Sequence, residues 1–134
     1  TYRLIESTLD SVKLLIDTGH MLFAGGDYNK ITNDLHNRII HIHCKDIRKN
    51  VLDKTLINDL TFRQAFLDGA FTVPGDGCID YKPFLKILKT NNYTGWLVVE
   101  AEQDPVKANP LEYAKIGYNY LSKAVKEAGF KIID

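Results

Sequence analysis

The chain has no excess of either charge, no long apolar run and only two cysteines, and each shortage closes off a class of function. Lys plus Arg and Asp plus Glu both number 17. A balanced chain with no basic stripe or polybasic run lacks the electrostatic footprint of a nucleic-acid binder or a membrane-surface protein. No apolar stretch reaches the roughly 20 residues that a spanning helix needs. Cys44 and Cys78 have no metal-ligand spacing and read as a reduced pair, with a cytoplasmic location expected. No glycine-rich phosphate loop follows the first predicted strand, which disfavours a flavodoxin-like nucleotide binder. The opening residues Thr1–Glu6 lack the apolar core of a secretory leader, do not begin with Met and fall inside a helical pattern. The expectation is therefore a fragment or a processed product.

What is present is organised around Ile39-Ile40-His41-Ile42-His43-Cys44-Lys45-Asp46. Successive side chains on a strand point to opposite faces, so His41, His43 and Lys45 share one face and Ile40, Ile42 and Cys44 the other. Two imidazoles and an ammonium on one face of a buried strand are costly without partners. Two further hydrophobic segments end in carboxylates, Leu14-Leu15-Ile16-Asp17 and Trp96-Leu97-Val98-Val99-Glu100-Ala101-Glu102. Three strands delivering Asp, His and Glu from their C-terminal ends make most of a divalent-metal site.

In chain order, the patterns predict a helix over 2–10 and a strand over 11–16, its near-continuous apolar run implying cover on both faces. A glycine-rich loop or short helical turn follows over 18–26. A helix over 28–37 is expected with Asp27 as its cap, then the central strand over 39–45. The connection 46–79 is long enough to be a lid or binding loop. It is expected to hold a short helix ending at Gly69 and a turn-rich segment over 71–77. Asp80 caps a predicted helix over 81–91, a strand spans 96–101, and the last helix spans 110–128. Alternating helices and strands imply an α/β fold with parallel strands. Three such strands leave open edges, and their order matches the last three-eighths of a (β/α)8 TIM barrel. Residues 1–134 then read as the C-terminal part of one barrel domain, its N-terminal strands missing.

The segments Leu15-Ile16-Asp17-Thr18-Gly19-His20, His41-Ile42-His43-Cys44-Lys45-Asp46-Ile47-Arg48, Phe71-Thr72-Val73-Pro74-Gly75-Asp76-Gly77-Cys78-Ile79-Asp80-Tyr81 and Gly95-Trp96 through Asp104-Pro105 carry a resemblance. The chain resembles the C-terminal part of the inosose dehydratases, bacterial enzymes of myo-inositol catabolism in the xylose-isomerase-like barrel superfamily. The Phe-Thr-Val-Pro-Gly-Asp-Gly loop and the Glu-Ala-Glu-Gln-Asp end are its most specific parts. The resemblance implies a divalent metal, Mn²⁺ or Co²⁺, with Asp17, His43 and Glu100 matching three of four ligands. The fourth, a Glu on an earlier strand, has no match: no strand end precedes Asp17, and Glu6 lies in a predicted helix. Oxygen and nitrogen donors would also accept Mg²⁺. A thiolate site is disfavoured because Cys44 points away.

Several readings of single residues stay open. Asp17 suits a helix cap as well as a ligand. His20 is a catalytic or substrate-binding candidate, or a hydrogen bond that orients the Asp17 loop. Lys45 is expected either to stabilise an enolate or to pair with Glu100 or Asp46. Asp46, Arg48 and Glu102 are substrate-binding candidates at the mouth, although an arginine placed as Arg48 is more often solvated or anchoring a loop. His41, one strand repeat deeper, sits behind the ligands.

The implied substrate is a small polyol ketone, 2-keto-myo-inositol, dehydrated to a trihydroxycyclohexane-dione by loss of the proton alpha to the ketone and of a β-hydroxyl. The alternatives are another superfamily isomerase or epimerase, or an inactive half-barrel that needs its N-terminal half as partner. The fragment alone is expected to be inactive. A homo-oligomer stays open.

Overall fold

A computed structural model describes residues 1–133. Its centre is a parallel sheet of β1 (Leu14–Asp17), β2 (Ile39–Cys44) and β5 (Trp96–Val99), with β2 in the middle. The register aligns Asp17 with His43, and His43 with Val98. The sheet has the parallel βα order expected of part of a barrel, and parallel strands ending at one level put their terminal side chains on one rim.

One face of the sheet packs on two helices, α6 (Tyr81–Thr90) and α7 (Pro110–Glu127). Tyr81, Phe84, Leu85 and Leu88 follow helical i, i+3, i+4, i+7 spacing and meet Ile16, Ile42 and Cys44, with Leu121 and Val125 of α7 closing the cluster. Each fully buried large side chain contributes about 1.5–3 kcal/mol, so this layer fixes the sheet. Asp80 accepts from the Lys82 N–H to start α6. Asn109 accepts from Leu111 and Glu112, ahead of Pro110 at the first helical position, to start α7.

Around this frame stand α1 (Tyr2–Glu6), α2 (Thr18–Phe23) and α3 (Tyr28–Asp34). The connection after β2 holds β3 (Asp46–Ile47), α4 (Lys49–Ile57), α5 (Phe62–Leu67) and β4 (Phe71–Thr72). β3 and β4 pair antiparallel, Asp46 opposite Thr72. Among the described residues, no helix is long and apolar enough to cross a membrane.

Several expectations are corrected. The first helix stops at Glu6, because the Ser7 and Thr8 hydroxyls bond back to the carbonyls of Arg3 and Leu4. β1 begins at Leu14 rather than at residue 11. α3 ends at Asp34, and a 3-10 turn over His36–Arg38 follows. That turn carries Arg38 inward to donate to the carbonyls of Val12 and Leu9. α4 was not expected: Leu56 and Ile57 on it are exposed, so no apolar stripe announces it. β2 stops at Cys44 and β5 at Val99. Ile40 does not share the face of Ile42; it is 56% exposed, while Ile39 turns inward beside the register shift between Leu14 and Leu15. Nor is β1 covered on both faces, since Leu15 is 49% exposed. The face opposite the helices is the one that carries the polar residues.

Candidate metal centre

Asp17 ends β1, His43 is the penultimate residue of β2, and Glu100 follows β5 directly. The Glu100 N–H still donates to the Cys44 carbonyl, which carries the pairing one step past the strand. Parallel register therefore delivers all three side chains to the same rim. One donor atom from each lies within 4.8 Å of the others. His43 Nδ1 is 2.7 Å from Glu100 Oε2 and 3.8 Å from Asp17 Oδ2. Among the described residues the cluster has these three members; Glu6 is exposed at the end of α1.

The two readings of Asp17 are both met, by different oxygens. Oδ1 accepts from the His20 N–H at 2.8 Å and caps α2, while Oδ2 faces His43 and Lys45. The cap thus fixes the rotamer that aims Oδ2 into the cluster.

Lys45 is drawn in behind them. Its side chain is only 2% exposed, and Nζ lies 3.2 Å from Asp17 Oδ2, 3.4 Å from Glu100 Oε1 and 2.6 Å from Glu102 Oε2. Burial works against the ammonium, but the hydrogen bond to Glu102 and the charges of Asp17 and Glu100 outweigh it, and the pKa ends above its ordinary value. Glu102 moves the opposite way. Burial would raise it, yet the hydrogen bonds from Lys45 and His20 hold its carboxyl below the usual range. Glu102 reaches this position from a left-handed backbone, φ 51°, and its Oε2 also meets His20 Nε2. His20 stacks on Phe71, centroids 5.0 Å apart, against a wall completed by Phe62 and Phe23. His41 lies deeper, its ring edge-on to His43 at 5.3 Å.

Two candidates for the mouth serve the adjoining loop, Arg48 in the anchoring role already open to it. Asp46 is fully enclosed (0% exposed) and accepts from the backbone N–H groups of Ile47, Ile79 and Gly75. Burial raises its pKa, and those amides partly offset the rise. It organises the 71–79 loop and does not face the rim, because the chain turns into β3 immediately after Lys45. Arg48 anchors the same loop: its guanidinium donates to Gly69 O, Thr72 Oγ1, Asp76 Oδ2 and Tyr113 Oη. The aromatic wall was missed; its only sequence signal is the density of Phe in the long connection.

The donor set fits a divalent cation. Glu100 Oε2 is shut off from solvent and has no hydrogen-bond partner, although His43 Nδ1 is close. An acceptor buried without a donor is costly, and two electron-pair donors converging on one point are stable with a cation between them. One imidazole nitrogen and two carboxylate oxygens suit Mn²⁺, Co²⁺ or Mg²⁺. Cys44 is buried on the helix side, where burial pushes its thiol up. A cavity of about 270 Å³ opens beside Glu102, lined by Val99, Gln103 and Tyr113 among others. A larger groove of about 380 Å³ between α6 and α7 is lined by Lys82, Lys86 and Lys89 and shares no residue with the cluster.

Comparison with known proteins places this arrangement among relatives. The family described as "Xylose isomerase-like TIM barrel" matches residues 2–133. A rhizopine catabolism protein, MocC, of Rhizobium meliloti is 48% identical over 130 residues, covering 97% of this chain and 40% of that protein. The inosose dehydratase of Clostridium beijerinckii is 49% identical over 122 residues, 90% of this chain and 41% of that protein. That of Clostridium tetani is 53% identical over 112 residues, 84% and 38% respectively. The chain thus spans about 40% of the length of these curated relatives.

Proposed function

The chain belongs to the xylose isomerase-like TIM barrel family, and from that premise we propose that the whole protein is a cytoplasmic, divalent-metal-dependent hydro-lyase that dehydrates 2-keto-myo-inositol in inositol catabolism. In this reading residues 1–134 are the C-terminal part of one barrel, and the N-terminal part supplies the remaining Glu ligand. The observation that carries it is the convergence of Asp17, His43 and Glu100 within 4.8 Å, with Lys45, Glu102 and His20 directly around them. The high identity to inosose dehydratases supports the substrate.

Asp17, His43 and Glu100 would hold the cation, which as a Lewis acid lowers the cost of an enolate at the substrate ketone. The chain's own residues divide the rest of the work. Lys45, held as an ammonium among three carboxylates, offers positive charge to the oxygen that becomes negative when the alpha proton leaves. His20 has Nε2 committed to the Glu102 carboxylate, which leaves Nδ1 as the ring nitrogen that can take the alpha proton. Glu102 orients both groups from one oxygen. Phe71 and Phe62 exclude water from the far side of the imidazole, which protects the proton transfer.

The test uses full-length protein. 2-Keto-myo-inositol should be converted with a rise in dione absorbance, EDTA should abolish the rate, and Mn²⁺ or Co²⁺ should restore it. Full resistance to chelation removes the metal from the mechanism. Conversion of ketohexoses in place of the inosose shifts the assignment to an isomerase or epimerase of the same superfamily, which shares the enolate chemistry. A second reading, an inactive half-barrel, draws on the three-membered cluster among the described residues. Mass spectrometry and light scattering of the purified protein decide whether a complementary half or further copies accompany this chain.

A further inference from the structure

Lys45 is the first residue beyond β2, and it is buried. Its peptide groups have left the sheet ladder, so by ordinary accounting its N–H and C=O need partners from elsewhere. Both are supplied by side chains. The Lys45 N–H donates to Thr18 Oγ1 at 3.2 Å, and the Thr18 hydroxyl donates back to the Lys45 carbonyl at 2.7 Å. The Tyr81 hydroxyl donates to the same carbonyl at 3.0 Å and lies 2.9 Å from Thr18 Oγ1. Thr18 and Tyr81 are themselves fully buried.

The side chain is guided as tightly as the backbone. A Cβ on Gly19 would sit 2.7 Å from Lys45 Cγ and 3.0 Å from its Cβ. Only a glycine leaves the channel along which the aliphatic stem runs to Asp17, Glu100 and Glu102. The three groups come from two different places in the chain, the start of α2 and the start of α6. Tyr81 is brought in by the cap at Asp80 and by its packing under the sheet.

We infer that Thr18, Gly19 and Tyr81 form a socket for Lys45 and are positioning residues of the reaction: they fix where the ammonium sits without touching substrate. The inference rests on the role proposed above for Lys45. A Tyr81→Phe change keeps the buried ring and removes only the hydroxyl; Thr18→Val keeps the branched shape and removes the acceptor of the Lys45 N–H.

Two measurements on the full-length protein test this. In the metal-free protein, amide hydrogen exchange should show Thr18→Val lowering protection of Lys45 about 10-fold, with Ile42 and His43 in the ladder unchanged. Unchanged protection at Lys45 overturns the socket. In turnover with 2-keto-myo-inositol, Tyr81→Phe should lower kcat about 10-fold with KM and the Mn²⁺ dissociation constant within 2-fold, a loss on the scale expected of a sub-ångström misplacement. In a Lys45→Met background the same change should cost less than 2-fold. An equal loss in both backgrounds, or no loss in the first, overturns the route through Lys45. If the unaltered protein does not turn over the inosose, the functional reading fails, and hydrogen exchange alone still decides the socket.

Discussion

Replacing Lys45 with Met separates the two things its ammonium does, holding the cation-free cluster together and serving the reaction. The perturbation keeps most of the stem volume and deletes one charge. In the structure that charge faces three carboxylates, at 3.2 Å from Asp17, 3.4 Å from Glu100 and 2.6 Å from Glu102. At an effective dielectric of 20, a unit pair 3.2 Å apart is worth roughly 5 kcal/mol before desolvation. Glu100 and Glu102 are 35% and 34% exposed, so solvent screens much of this. Breaking a buried pair costs about 3–5 kcal/mol, and the screened cluster should lose about 2–3. Metal-free Lys45→Met should therefore unfold in urea with ΔG lower by about 2–3 kcal/mol. The same deletion removes the competitor for Asp17 Oδ2 and Glu100 Oε1, so Mn²⁺ should bind at least 10-fold more tightly, read from free Mn²⁺ by electron paramagnetic resonance. Saturating Mn²⁺ should restore the lost stability, since about 2.7 kcal/mol is gained at 100 times the dissociation constant. Turnover should not recover, staying at least ~100-fold down, the scale of losing one preorganised electrostatic donor. Weaker Mn²⁺ binding in the variant, or unchanged metal-free stability, would refute the placement of the ammonium between the carboxylates.

Gly77→Ala should destabilise by about 1–3 kcal/mol, read in urea unfolding, because a Cβ there would lie 2.2 Å from Asp46 Oδ1 and 2.6 Å from the Ile47 carbonyl. Asp46→Asn should cost about 1–3 kcal/mol, since its amide group would meet the Gly75 N–H that Oδ2 accepts at 3.3 Å. Burial raises the Asp46 pKa above its unfolded value; that carboxyl adds stability below the unfolded pKa and loses it as pH rises through the folded one. The difference between wild type and Asp46→Asn should therefore narrow with rising pH across the acid range in urea melts. Arg48→Met should leave the Mn²⁺ affinity alone but speed proteolysis of the 71–77 loop, because the Gly69, Thr72 and Asp76 contacts go together.

The sheet and the two long helices were legible because they rest on local rules, and the resemblance chose Asp17, His43 and Glu100 among the candidates that those rules left open. Apolar runs ending in a carboxylate mark the strands. Asp27 and Asp80 both cap the helices that begin one residue later, and the 81, 84, 85, 88 spacing names the face of α6 that is buried. Period-two alternation put His41 and His43 on one face, and parallel register then carried Asp17 and Glu100 to His43. What failed lay where the chain leaves regular structure or where an element shows no regular apolar face. α4 has no apolar stripe to read, and the hydroxyls that end α1 act only once the chain has turned.

Alternation also explains the failure at the rim. It counts residues along a straight strand: it puts Lys45 on the face of His41 and His43, where the expected pairing with Glu100 is found, but it leaves Asp46 at the mouth. The strand ends at Cys44, and the chain bends into an antiparallel pairing at Asp46. That bend turns Lys45 inward beneath the carboxylates and shuts Asp46 into the loop. A bend of this kind buries two peptide groups and two charges at once, and it is stable only if groups distant in sequence meet all of them. Thr18 and Tyr81 take the Lys45 peptide, three acids take its ammonium, and the amides of residues 47, 75 and 79 take the Asp46 carboxylate. Apart from Glu100, none of these partners follows from spacing along the chain. They follow from the long connection folding back over the end of β2, which makes the stretch hardest to read in the sequence the one on which the position of the ammonium depends.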